Sequence, residues 1–158
     1  MQLNFLLDEN IEHYDYFFAD FAHLQSKAGR KMTAADVQQK QALLVRSVTQ
    51  VNAALLAGSD VQFVGSATIG TDHLDIDYLN QQGIVWSNAA GCNAQAVAEY
   101  IITALYAVQP DIFERQTFCL GIVGLGNVGT RLARSAHALG WQVKGYDPLV
   151  QHSHIEQV

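Results

Sequence analysis

Three features of the amino-acid sequence predict an α/β fold built on parallel sheets. Short apolar or β-branched runs alternate with helical patterns along the chain. Several of those runs are apolar at successive positions, as a strand covered on both faces must be. A glycine-rich stretch, Gly124-Leu125-Gly126-Asn127-Val128-Gly129, joins one such run to a helical pattern, the local form of a strand-turn-helix unit.

Taken in order, the strands are expected at residues 3–7, 42–46, 61–65, 84–86, 118–123 and 142–146. Helices fall between them, and their ends are marked by residues that cap. Thr33 precedes AADVQQKQ. Asn52 precedes AALLAG, with Gly58 as the stop, and Asp75 precedes IDYLNQQG, with Gly83 as the stop. The run 94–108 can be capped by Asn93 and ends before Pro110. It is apolar nearly all round, so it is expected to be buried on several sides, as a helix between two domains would be. Its Glu99 is expected to be satisfied by backbone or by a partner across that junction. These readings divide the chain into residues 1–92, a connecting helix over 93–110, and 111–158.

Bulk properties narrow the function. Of 158 residues 49% are apolar, enough for a core and too many for a disordered chain. The net charge of −6 argues against a nucleic-acid or anionic-membrane partner. Cys92 and Cys119 stand far apart, outside any CxxC or Cys/His ligand spacing, so neither a disulfide nor a metal site is expected and a reducing compartment fits. The opening MQLNFLLDEN has no basic segment and is cut by Asp8 and Glu9, which does not suit a signal peptide. A cytoplasmic protein is expected.

The strongest motif is FCLGIVGLGNVG. Its GxGxxG is preceded by an apolar strand and followed by a helix over 130–139, a stop at Gly140, and a second strand that closes at Asp147, 23 residues after Gly124 against about 20 expected. Each position has a physical task. Gly124 permits the tight turn, Gly126 lets backbone approach a pyrophosphate, and Gly129 lets the helix pack closely on the strand. The opening residues Asn127 and Val128 offer free N–H groups and the positive end of the helix dipole. Asp147 would accept hydrogen bonds from the adenosine ribose and repel a 2′-phosphate, which favours NAD over NADP. A glycine-rich turn that binds nothing is the alternative.

Three loops follow strand ends, where open α/β sheets place ligands. They are Arg46-Ser47-Val48-Thr49, the segment 65–73, and Asn88-Ala89-Ala90-Gly91-Cys92-Asn93. Their Gly, Ser, Thr and Asn residues present N–H groups and hydroxyls to an anion, and Arg46 could add a charge-assisted bond to a carboxylate or phosphate. Composition alone leaves ordinary turn chemistry open. The histidines are weak candidates for chemistry: His137 reads as a surface or packing residue, His152 and His154 as part of a disordered polar tail, and His73 as a loop hydrogen-bonding residue with a smaller claim to touch ligand.

The segments LLDEN, LLVRSVTQVN, FVGSATIGTDHLD, AAGCNAQAVAEY and GIVGLGNVG, in this order and spacing, resemble the D-isomer-specific 2-hydroxyacid dehydrogenases over essentially the whole chain. VRSVT, GTDH and GCN resemble in particular the branch that oxidises 4-phospho-erythronate with NAD on the route to pyridoxal phosphate. The resemblance implies a flavodoxin-like parallel-sheet substrate domain followed by the start of a Rossmann NAD-binding domain. It implies substrate contact at Ser47 and Thr68, NAD contact at Asp147, a small phosphorylated hydroxy acid as partner, and a homodimer for the full-length enzyme. Ser66 stands where the family has Thr, and Ala90 where it has Pro.

The family's catalytic Arg, carboxylate and His lie well downstream of the fingerprint, so no catalytic residue is expected before Val158, nor turnover by these residues alone. Three functional readings stay open at this point: part of a dehydrogenase, a non-catalytic module that holds a nucleotide or phosphorylated acid, or a relic without function.

Overall fold

The structure is a computed structural model that describes residues 2–114, 118–150 and 155–157. It comprises two compact units, Met1–Ala90 and Gly91–Val158.

In the first unit the elements are β1 (Leu3–Asp8), α1 (Tyr14–Phe18), β2 (Ala22–Lys27), α2 (Ala34–Val37), β3 (Ala42–Val45), α3 (Ala53–Leu56), β4 (Phe63–Ser66), α4 (Ile76–Gln81) and β5 (Val85–Asn88). All five strands are parallel, in the order β2-β1-β3-β4-β5. This is the flavodoxin-like order, whose switch point lies between β1 and β3. The alternation of side chains along each strand separates two apolar layers. Leu6, Leu43, Val45 and Val64 pack with Val37, Leu55 and Leu79 of α2, α3 and α4. Phe5, Leu7 and Ala42 face the other way and pack with Phe18 of α1.

The capping residues do what their chemistry suggests. Asn52 accepts the N–H of Leu55 at 3.3 Å and Asp75 that of Tyr78 at 3.0 Å. At the start of α2, Asp36 Oδ2 accepts the Thr33 N–H at 2.7 Å, the Thr33 hydroxyl at 2.6 Å and the Lys27 ammonium at 2.6 Å. Four elements differ from expectation. Neither α1 nor β2 stands out in the sequence, because α1 is five residues long and β2, AHLQSK, is an edge strand with one buried residue. The strands expected at 61–65 and 84–86 begin later, at Phe63 and Val85.

The second unit contains α5 (Ala94–Val108), β6 (Cys119–Val123), α6 (Asn127–Ala138), β7 (Gln142–Tyr146) and a two-residue β8 (Glu156–Gln157). The strands are parallel in the order β6-β7-β8. Ile122, Leu125, Leu132, Ala136 and Val143 form the core, closed at one end by Phe118 edge-on to Trp141 with ring centroids 4.8 Å apart.

The expectation that the long apolar helix is buried on several sides is corrected here. Ala94 and Ala98 of α5 are buried and Ile101, Ile102 and Leu105 pack against the core, but Tyr100 is 73% and Val108 86% exposed. Hydrophobicity all round records what a helix could bury, and α5 covers only one face. Glu99 is also differently placed: it is exposed, and Oε1 accepts the Gln95 side-chain amide at 2.8 Å on the same helix, one turn earlier. Asn93 makes no side-chain cap bond. His152 and His154 lie outside the described residues.

Candidate functional site

Two sites emerge, one in each unit. In the first, three loops leave the C-terminal ends of β3, β4 and β5, and backbone bonds tie them together. Val51 donates to the His73 carbonyl at 2.8 Å and Asp75 to the Val51 carbonyl at 2.8 Å, around a parallel bridge from Val51 to Leu74. Ala89 donates to the Thr68 carbonyl at 3.1 Å, and the Asn88 amide to the Ile69 carbonyl at 2.6 Å. Loops rich in Gly, Ser and Thr are thereby held in one arrangement.

The result is a cavity of about 350 Å³ lined by residues of polar type, Ser47, Gln50, Thr68, Asp72 and His73, with Gly70. Ser47 and Thr68, expected to touch substrate, come from different loops and meet on this cavity. Arg46 does not line it; it is half-buried at the end of β3, where its carbonyl accepts the Thr49 N–H at 3.1 Å. A larger cavity of about 500 Å³ lies where Phe5, Phe18, Phe21, Leu44 and Phe63 approach one another, and its walls are overwhelmingly apolar. An anionic substrate would lose its hydration there without replacement, so the smaller polar cavity is the candidate.

Behind the polar cavity lies a network in which His73 makes the loop hydrogen bond expected of it, with partners that the sequence did not indicate. His73 is 4% and Ser66 5% exposed. The Ser66 hydroxyl shares hydrogen bonds of 2.9 Å with His73 Nε2 and 2.9 Å with the Thr68 hydroxyl. Burial pushes the His73 imidazole below its usual pKa, opposed by the negative charge of Asp72. Toward the switch point the space is closed. Asp8 is fully buried, with Oδ1 accepting from the Asn10 backbone at 2.9 Å and side chain at 3.0 Å. Its Oδ2 and the Thr49 hydroxyl are buried without a hydrogen-bond partner. A Cβ on Gly29 would run into both oxygens, so that residue fills the gap with backbone alone.

In the second unit the glycine-rich turn has the geometry its sequence requires. Gly124 adopts φ +93°, open to glycine and strained for other residues. A Cβ on Gly129 would overlap the Gly124 carbonyl oxygen, which is the close helix-on-strand approach. Gly126 is the N-cap of α6, with open space where a Cβ would be, and Asn127, Val128 and Gly129 form the first turn. Their N–H groups have no preceding turn to bond. Asp147 follows β7 directly. Its Oδ2 accepts the Leu125 N–H at 2.7 Å, and its Oδ1 those of Leu149 at 2.9 Å and Val150 at 3.2 Å. The six residues expected to hold a dinucleotide therefore gather at one turn.

Among the described residues no group of three or more His, Cys, Asp or Glu could hold a metal ion, and no helix is long and apolar enough to cross a membrane. Cys92, Cys119 and His137 are exposed.

Comparison with known proteins agrees with this fold. Residues 5–147 match the family model described as D-isomer specific 2-hydroxyacid dehydrogenase, catalytic domain. An erythronate-4-phosphate dehydrogenase of Acinetobacter baylyi is 63% identical over 150 residues, covering 94% of this chain and 42% of that protein. One of Ectopseudomonas mendocina is 48% identical over 147 residues, covering 92% of this chain and 39% of that protein. The chain thus spans less than half the length of these curated relatives. A crystal structure of NAD⁺-bound 3-phosphoglycerate dehydrogenase of Entamoeba histolytica aligns with 100% of this chain and 57% of its own, at a TM-score of 0.71 and 24% identity, a likeness of fold.

Proposed function

The chain belongs to the D-isomer-specific 2-hydroxyacid dehydrogenase family, and from that premise we propose that it serves the NAD-dependent oxidation of 4-phospho-D-erythronate, a 2-hydroxy acid, to the 2-oxo acid, in pyridoxal phosphate biosynthesis. The observation that carries this reading is the meeting of Ser47 and Thr68 on one polar cavity at the strand ends. Two hydroxyls on separate, mutually bonded loops can donate to different oxygens of a carboxylate or phosphate and so orient the acid.

NAD, when bound, supplies the acceptor for the hydride. The first turn of α6 would hold its pyrophosphate through the N–H groups of Asn127, Val128 and Gly129. Gly126 would let it approach closely, and Asp147 would bond the ribose while disfavouring a 2′-phosphate. In this reading these residues bind and orient the acid and the cofactor. A homodimer in the cytoplasm completes the proposal.

The test is steady-state kinetics in protein of the relatives' full length. Ser47→Ala and Thr68→Ala are expected to raise KM for 4-phospho-D-erythronate about tenfold each, the loss of roughly 1.4 kcal/mol, and to leave KM for NAD within twofold. Equal effects on both would assign these hydroxyls to the loops rather than to the acid. Faster turnover of 3-phosphoglycerate would reassign the substrate.

A further inference from the structure

The three-member chain His73–Ser66–Thr68 has a direction, and that direction decides what the polar cavity offers a ligand. A hydroxyl carries one proton. Ser66 is bonded on both sides, so if it donates to Thr68 it must accept from His73, and the reverse. In the first arrangement the Thr68 hydroxyl accepts from Ser66 and keeps its own proton for the cavity. In the second it spends its proton on Ser66 and shows the cavity only lone pairs. Ser66 and His73 are both more than nine-tenths buried.

We infer that His73 is a positioning residue: its Nε2–H donates to Ser66, Ser66 donates to Thr68, and the Thr68 O–H is thereby presented to the cavity as a donor for an anionic oxygen. This rests on the reading of the cavity as the substrate site. The geometry supports this direction. A ring with its proton on Nε2, neutral or cationic, can only donate at Ser66, whereas the opposite direction requires a bare Nε2 and so a single protonation state. Burial outweighs the Asp72 charge and favours the neutral ring, in which one nitrogen alone carries the proton, and Nε2 is the nitrogen set 2.9 Å from the Ser66 hydroxyl. Thr68 is itself fixed, its carbonyl accepting from Ala89 at 3.1 Å, so its hydroxyl has a defined place from which to donate. His73 need never touch the ligand, and it acts through two oxygens.

The experiment uses the 158-residue chain. Long-range ¹H–¹⁵N correlation of the imidazole reads the tautomer in the unmodified protein, and amide shifts at Ser47 and Thr68 follow titration with 4-phospho-D-erythronate. The expected result is a ring protonated on Nε2. Ser66→Ala is expected to weaken binding about tenfold, the loss of one hydrogen bond to a charged group, and Ser66→Thr, which keeps the hydroxyl, to restore it. In a Thr68→Ala background Ser66→Ala should have no further effect, because the chain then ends nowhere. Saturable binding with a ring protonated on Nδ1, additive losses, or a Ser66→Thr protein as weak as Ser66→Ala would overturn the positioning role alone. No saturable shift at either Ser47 or Thr68 would overturn the reading of the cavity as a substrate site, whatever the tautomer.

Discussion

The carboxylate of Asp147 accepts the backbone N–H of Leu125 at 2.7 Å. The end of β7 therefore holds the middle of the glycine-rich turn after β6. One acidic residue thus ties the strand end to the glycine-rich turn, and in the proposed function the same carboxylate would bond the ribose.

Asp147→Ala should show both roles. In the chain itself, hydrogen exchange of the Leu125 amide should quicken in the variant. In protein of the relatives' full length, NAD affinity should fall about 10- to 100-fold, the equivalent of a charge-assisted bond of roughly 1.5–3 kcal/mol, with weaker discrimination against NADP. Unchanged exchange at Leu125 would remove the turn-holding role, and unchanged NAD affinity by calorimetry would remove the ribose.

Gly129→Ala should be costly out of proportion to one methyl group. The added carbon would meet the Gly124 carbonyl oxygen and, at 3.3 Å, Ile122 Cγ2. Backbone cannot yield as a side-chain tip can, so a loss of about 1–3 kcal/mol is expected in urea denaturation. Gly126→Ala, with open space at its Cβ, should cost much less. Equal losses would mean that the helix does not depend on this close approach.

The pH dependence of stability should carry the signature of His73. Its pKa is lowered by burial in the folded chain, so the unfolded chain binds the proton more readily. Stability from this group is complete above the unfolded value of about 6.5, and it is lost as pH falls below that toward the folded pKa. Urea midpoints measured from pH 8 to pH 5 should therefore decline. His73→Gln should flatten the decline, and an identical slope in the two proteins would count against a buried neutral ring.

The Lys27–Asp36 pair predicts a second window of the same sign at lower pH. Hydrogen bonds from Lys27 and Thr33 hold the Asp36 pKa down from 3.8 to about 2. Its stabilisation is present above pH 3.8 and is lost as pH falls toward 2. Both side chains are partly exposed, at 32% and 17%, so Lys27→Met should cost no more than about 1 kcal/mol at pH 7, and Thr33→Ala about 1 kcal/mol through the cap. NMR titration of Asp36 in Lys27→Met should show its pKa moving up toward 3.8, and a pKa still near 2 would assign the effect to Thr33 alone.

What the sequence made legible was local. Strands β1, β3 and β6 could be found because their residues are apolar at successive positions, and Asn52 and Asp75 could be named as caps because their carboxyl or amide oxygens need only reach three residues ahead. Strand β2 was hidden because an edge strand has little to bury, and α1 because five residues give no periodicity. The surroundings of α5 and the partner of Glu99 depend on what packs nearby, which composition does not state. Ser47 and Thr68 were singled out by resemblance, since composition could not separate them from turn residues. The Ser66–His73 bond joins the end of β4 to a loop seven residues on, beside the bridge of Val51 with Leu74.

The pairing of Val45 with Ser66 and of Ser66 with Asn88 fixes β4 against both neighbours. Side chains alternate along a strand, so Val64 and Ser66 share one side of the sheet while Phe63 and Gly65 share the other. Shifting β4 by one residue would lift Val64 out of the layer beneath α3 and α4 and carry the Ser66 hydroxyl away from His73 in the same movement. It would also bring a side chain to the position of Gly65, where an added Cβ would come within 2.6 Å of Leu44 Cδ2 and push that side-chain tip aside. Misalignment of this strand is therefore penalised by sterics, by lost burial and by a severed hydroxyl contact at once. Molecules that fold at all should emerge with the contact made, and the fraction able to bind should track the fraction folded.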